Sequence, residues 1–237
     1  MWQKSFFMFD APSTRHFIPN LTFNNKNAFL FVCDHTAVVH SKLLLLSKSK
    51  KELLQLIVGF AFAQEYVLGY DKMMKGSGDA ITANMINKKE FTVIKRVFRS
   101  SMMRGHATQY WHVKSTDGKE YIIKDSRINI RWQLNKIDIL HEISDIVNVP
   151  TLVTRWDVCL PNGKKDTTGI HWPKMHTGEE WAYQWLLIEE VGEPLSTFHL
   201  KKELIGAFIY MVEGINLILH EDMWLTCWII STSHSVQ

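Results

Sequence analysis

Gly105 and Lys124 are the residues whose types and placing suit chemistry best. Gly105 separates two β-rich stretches, 91–98 and 110–113, and Lys124 closes a third, 120–124. A glycine in a hairpin lets backbone approach a ligand closely. A lysine ammonium is a compact charge for anionic oxygens. Each also has a plain reading, a turn glycine and a surface lysine at a strand end. The chain has 11 His, yet none form an H-x-x-x-H or H-E-x-x-H pair on one helical face. Cys33, Cys159 and Cys227 lie far apart without a C-x-x-C pair, so no metal site is expected.

The elements around these residues follow from hydrophobic period. Residues 1–40 are mixed and give no assignment. Residues 41–69 read as helix, with Leu43, Leu46, Leu53, Leu54, Ile57, Val58, Ala61 and Phe62 near helical spacing, and with Ser47 or Ser49 as a cap. Lys75-Gly76-Ser77-Gly78-Asp79 reads as a linker. The period then changes to that of strands. Residues 91–98, 110–113 and 120–124 predict an antiparallel meander, its second turn marked by Asp117-Gly118. A helix is predicted over 135–147, strands over 152–160 and 181–190, and a helix over 201–219. Trp181, Tyr183 and Trp185 alternate along the fifth strand and read as packing residues. The expected class is α+β: a helical extension over 1–85, a five-stranded antiparallel lobe with one helix over 86–190, and a last section over 191–237.

Composition narrows the partners. Hydrophobic residues make up 46% and charged residues 22%, the balance of a chain that buries a core. A net charge of +3, spread along the chain apart from Lys48, Lys50 and Lys51, marks no nucleic-acid or membrane surface. No uncharged run reaches the roughly 18 residues of a membrane span. Three scattered cysteines and the lack of a secretory leader fit an intracellular protein. Asn20-Leu21-Thr22 matches a glycosylation triplet that such a protein would not use.

The order strand, strand, strand, helix, strand, strand, linker, helix, with Gly105 after the first strand and Lys124 ending the third, resembles the small lobe of a protein kinase. The wording resembles the fungal-type protein kinases in particular. Their G-R-x-T is matched by Gly105-His106-Ala107-Thr108 with Trp111 following, and their V-V-K-D-S-W by Ile122-Ile123-Lys124-Asp125-Ser126-Arg127. Val149-Pro150-Thr151-Leu152 resembles their V-P-T-L, and Glu189-Glu190-Val191-Gly192-Glu193-Pro194-Leu195 their E-x-x-G-x-P-L. Lys202-Glu203-Leu204-Ile205 resembles their K-E-L-I, and Gly69-Tyr70-Asp71 a G-Y-D that precedes the lobe. The resemblance implies Mg-ATP as cofactor: Gly105 near the phosphates, Lys124 paired with the α- and β-phosphates, and backbone of Glu189, Glu190 and Val191 against the adenine.

The departures from the family pattern set the functional expectation. Only Gly105 stands where many kinases carry three glycines. The helical glutamate that pairs with the strand lysine has its expected place at Lys136, with Glu142 about one and a half turns later. His220-Glu221-Asp222 imitates H-R-D, so Asp222 is a weak catalytic candidate beside a plain reading as a solvated helix end. No Asn at the required spacing and no D-F-G follows, and 223–237 reads as a replacement tail. The expectation is a truncated, catalytically incomplete relative of an ATP-dependent Ser/Thr kinase. A pseudokinase-like interaction module with a protein partner is the alternative, and a small-molecule phosphotransferase is a third reading.

Overall fold

The structure, a computed structural model, describes residues 15–75, 82–84, 89–100, 106–130, 150–160, 162–171, 180–189, 191–192 and 197–220. The helix expected over 135–147 and the tail over 223–237 lie outside the described residues.

The N-terminal section begins as a sheet. Strands β1 (Phe17–Phe23) and β2 (Asn27–Asp34) pair antiparallel, from Phe17 opposite Asp34 to Phe23 opposite Ala28. Their turn is set by the Asn24 side chain, which accepts from the backbone N–H of Asn27 at 2.9 Å. Strands β3 (Val38–His40) and β4 (Leu44–Leu45) both pair with β2. This corrects the helical reading of 1–85. Only Ile18, Ala28 and Cys33 of the β1–β2 hairpin's apolar residues are fully buried, so the alternation that announces a strand is weak there.

Helix α1 (Lys50–Phe62) starts later than expected, because Leu44 and Leu45 join the sheet. Ser49 occupies the cap position but makes no side-chain cap bond, and α1 buries none of its residues. A 3-10 turn (Glu65–Leu68) follows and ends on Gly69 at φ 89°. A β-carbon at Gly69 would sit 1.9 Å from the Phe17 carbonyl oxygen. The left-handed φ and this close approach both require glycine.

The second sheet has seven strands, all antiparallel. In chain order they are β5 (Met74–Lys75), β6 (Thr82–Asn84), β7 (Glu90–Arg99), β8 (Gln109–Ser115), β9 (Glu120–Asn129), β10 (Leu152–Asp157) and β11 (Trp181–Ile188). Across the sheet they run β10-β11-β9-β8-β7-β6-β5. Strands stand at each of the five expected stretches, and β5 and β6 add two more at the β7 edge. A boundary at residue 85 therefore cuts through the sheet: Ala83 pairs with Phe91, and Met73, Met74 and Ala83 share one core with Phe91, Trp111, Ile123 and Trp185. Two register shifts in β7, between Val93 and Lys95 and between Arg96 and Phe98, explain why its sequence alternates only in part.

The β8–β9 turn is the one the sequence announces. Gly118 takes φ 87°, and the Asp117 side chain accepts from the Lys119 N–H at 3.0 Å. After β10 come the short helix α2 (Thr168–His171) and then β11; α3 (Lys201–His220) lies beyond it. The Glu203 carboxylate accepts from the N–H groups of His199 and Leu200, closing the start of α3. Among the described residues no helix is long and apolar enough to cross a membrane.

Candidate functional site

Lys124 lies in β9 between Tyr110 of β8 and Leu186 of β11. Its Nζ stands 5.5 Å from the centre of the Tyr110 ring. The residue is half-buried. Burial disfavours its charged form and pushes the ammonium down to about 8. Burial also raises the Tyr110 hydroxyl to about 12, so that phenol stays neutral beside it. Among the described residues Lys124 has no ion-pair partner. The place expected for one, Lys136 or Glu142, lies outside them.

The other predicted site residues divide. Gly105 and Asp222 lie outside the described residues, as do Glu190 and 193–196. The segment just after Gly105 is anchored on β9: Arg127 N–H donates to the His106 carbonyl at 2.7 Å, and His106 Nδ1 bonds the Arg127 carbonyl at 2.8 Å. That brings the end of the β7–β8 connection beside the strand of Lys124. Ala107 there takes φ 48°. Glu189 follows β11 directly, with its N–H on the Thr151 carbonyl at 3.0 Å, and its carboxylate pairs with Lys119 of the β8–β9 turn. Val191 is half-buried and Gly192 exposed. The structure thus places Lys124 and the β11 exit on neighbouring strands. Trp185 and Tyr183 are buried in the core, as packing residues should be.

Sequence reasoning missed a polar cluster on the opposite face of β9. Ile123, Asp125, Arg127 and Asn129 point that way, and all four are buried. Arg127 stands where the resemblance has Trp. Its Nη2 donates to Asp34 Oδ2 at 2.9 Å, tying β9 to the N-terminal sheet, and its guanidinium lies 4.7 Å from the Tyr183 ring centre. Burial alone would raise Asp34. Arg127, with hydrogen bonds from Thr36 and Ala37, outweighs it and holds Asp34 below the usual carboxylate range.

His16 lies at the middle of this cluster. It stacks on Tyr183 at 3.7 Å between ring centres, and the Tyr183 hydroxyl donates to the His16 carbonyl at 2.7 Å. His16 N–H donates to the Gly69 carbonyl at 2.7 Å. Its Nδ1 bonds Asp166 Oδ2 at 3.0 Å, and its Nε2 lies 3.4 Å from Asp71 Oδ2. Asp71 Oδ1 accepts from the Met73 N–H at 2.8 Å. Burial disfavours the imidazolium, but Asp71 and Asp166 outweigh it and His16 is pushed up to about 10. Burial, with Asp71 adding to it, lifts Asp125 to about 7. His16, Asp71 and Asp125 offer ligand-type atoms all within 4.8 Å of one another. The signal available in the sequence was Asp125 and Arg127 at inward positions of an apolar strand, together with the Asp of Gly69-Tyr70-Asp71.

The family model of the fungal protein kinases matches residues 3–184. That span takes in Gly105, Lys124 and the whole His16 cluster, and stops short of Glu189 and Val191. No curated protein matches the chain. The matched span holds both the N-terminal sheet and most of the seven-stranded sheet, and on it the chain belongs to the fungal protein kinase family.

Proposed function

We propose that this chain forms a protein-kinase small lobe that holds Mg-ATP, with Lys124 on the α- and β-phosphates, the Gly105 segment beside them, and the backbone of Glu189 and Val191 toward the adenine. The carrying observation is Lys124 itself: a half-buried ammonium on the third strand of the expected five, without an ion-pair partner among the described residues. A desolvated cation in that position suits phosphate oxygens, and family membership makes ATP the ligand expected there. The ammonium supplies charge and orientation; ATP with its Mg2+ supplies the transferable phosphoryl group. The substrate class of the family reading is a Ser/Thr hydroxyl.

Phosphotransfer needs metal-holding carboxylate and amide groups besides these. This chain's sequence holds no D-F-G triplet, and Asp222 is followed by no Asn at the spacing that metal binding needs. The test is thermal unfolding of the purified chain with and without Mg-ATP, alongside a labelled-phosphate transfer assay. At a thousandfold excess over Kd, bound ATP stabilises by about 4 kcal/mol. No stabilisation at millimolar Mg-ATP overturns the nucleotide reading.

One observation favours the second reading, a non-catalytic interaction module. Leu54, Ile57, Val58 and Phe62 of α1 are exposed, Phe62 to 84%. A helix with an uncovered apolar side suits a protein partner. ATP-independent association through α1, with no response to Mg-ATP, would select this reading over the first.

A further inference from the structure

We propose that His16 Nε2, Asp71 and Asp125 form a binding site for one divalent transition-metal ion of the zinc class, buried behind the strand that carries Lys124. The three side chains come from the residue just before β1, from the residue after Tyr70, and from β9, and they are 6%, 4% and 7% exposed. Their ligand atoms lie within 4.8 Å of one another, so a small inward movement brings them to the roughly 3.4 Å that separates ligands of a tetrahedral ion bound at about 2.0–2.2 Å.

The orientation of His16 points to a ligand. Asp166 accepts a hydrogen bond from Nδ1 at 3.0 Å, and an ionised carboxylate can only accept, so the Nδ1 proton is fixed there. That leaves Nε2 as the nitrogen turned to Asp71 and Asp125. A carboxylate holding the far nitrogen of a histidine is the arrangement that orients metal-bound imidazoles. Stacking on Tyr183 fixes the ring plane as well. Nε2 and Asp71 Oδ2 are buried and have no hydrogen-bond partner; their 3.4 Å approach falls in ion-pair range without hydrogen-bond geometry. Without an ion the two atoms meet as an ion pair that lacks hydrogen-bond geometry; a metal ion taking the place of the Nε2 proton would bind both directly.

The donor set selects the ion. One imidazole nitrogen and two carboxylates suit zinc and its neighbours better than Mg2+ or Ca2+, which take six or more oxygens. Three protein ligands leave the fourth position of a tetrahedral ion to water. A small pocket beside the cluster is lined by His16, Tyr66, Asp71, Lys72 and Asp166. The ligands must lose their protons when the ion enters. The site would then join the N-terminal sheet, the Gly69-Tyr70-Asp71 turn and β9 through one ion.

The experiment uses the full chain, stripped with a chelator, equilibrated with excess Zn2+, passed through a desalting column and measured for metal by mass spectrometry. One equivalent of zinc is expected in the native chain, with Asp71→Asn and Asp125→Asn each cutting retention at least tenfold. Zinc at a hundredfold excess over Kd should raise Tm by roughly 5–10 °C. Co2+ in its place should give the visible absorption of a tetrahedral site. Less than a tenth of an equivalent with no shift in Tm overturns the proposal and leaves His16 as a cation among carboxylates. Full retention by folded Asp71→Asn and Asp125→Asn places the metal elsewhere and overturns it too. If either variant does not fold, stoichiometry, Tm and the Co2+ spectrum of the native chain still decide. Mg-ATP plays no part in these measurements, so their result is independent of the nucleotide reading.

Discussion

Lys124 and Asp125 are neighbours in β9 and face opposite sides of the sheet. Lys124 lies over Tyr110, whereas Asp125 is buried near His16, opposite Trp185 of β11. The period of two along a strand makes this unavoidable. A single dipeptide therefore serves the proposed nucleotide on one face and the N-terminal section on the other. Replacing Lys124 by Met keeps the stem's packing and removes the charge. Lys124→Met should abolish the stabilisation by Mg-ATP while leaving the ligand-free Tm within a few degrees of native. Differential scanning fluorimetry across an ATP titration checks both. An unchanged ATP response would remove Lys124 from the site.

Gly69→Ala tests how firmly the N-terminal sheet is held. The added β-carbon meets the Phe17 carbonyl at 1.9 Å, and φ is 89°. The left-handed backbone alone costs about 1–2 kcal/mol for a residue with a β-carbon, and relief of the clash would move β1 away from the bond between His16 N–H and the Gly69 carbonyl. Urea unfolding should show a loss of at least ~2 kcal/mol. Hydrogen exchange should quicken first in β1 and β2. Equal quickening throughout the seven-stranded sheet would show instead that the two sheets open together.

The meander was legible because its signals are local. Asp117-Gly118 is a turn whose φ only certain residues accept, and 120–124 beside it is a short run rich in β-branched and aromatic residues. Strands β1 and β2 were not legible, since most of their positions are half-buried on both sides and Pro19, Asn20 and Asn27 interrupt the pattern. The His16 cluster was invisible for a different reason. His16 and Asp166 are 150 residues apart and Asp34 and Arg127 are 93 apart, so no motif of fixed spacing joins them. Gly69-Tyr70-Asp71 was recognised as wording, and its physical sense emerges only from the fold: Gly69 lets β1 approach, Tyr70 stacks under Arg15, and Asp71 meets His16.

The Asp34–Arg127 pair gives a pH prediction. Both side chains are buried, and Asp34 titrates below its ordinary range. An unfolded Asp titrates near 3.9. A group whose folded pKa is depressed adds stability that is complete above the unfolded value and is lost as pH falls through the folded one. Stability should therefore drop below about pH 4, and Asp34→Asn should flatten that part of the profile. Removing one partner of a buried pair costs about 3–5 kcal/mol. Asp34→Leu combined with Arg127→Met should lose much less than the sum of the single changes. Chemical denaturation of the four proteins closes the double-mutant cycle, and strict additivity would show that the pair carries no coupling.

Helix α1 supplies the last prediction. Its apolar side chains Leu54, Ile57, Val58 and Phe62 are exposed, and it caps no core, so the fold should not depend on them. Val58→Glu with Phe62→Glu should change unfolding free energy by no more than about 0.5 kcal/mol for each site, the range of ordinary surface substitutions. The same pair should reduce self-association in sedimentation velocity, because charge disperses an apolar patch. A large loss of stability would show that α1 packs in solution against chain outside the described residues. Unchanged stability with lower association would leave α1 as a contact surface, separate from both faces of β9.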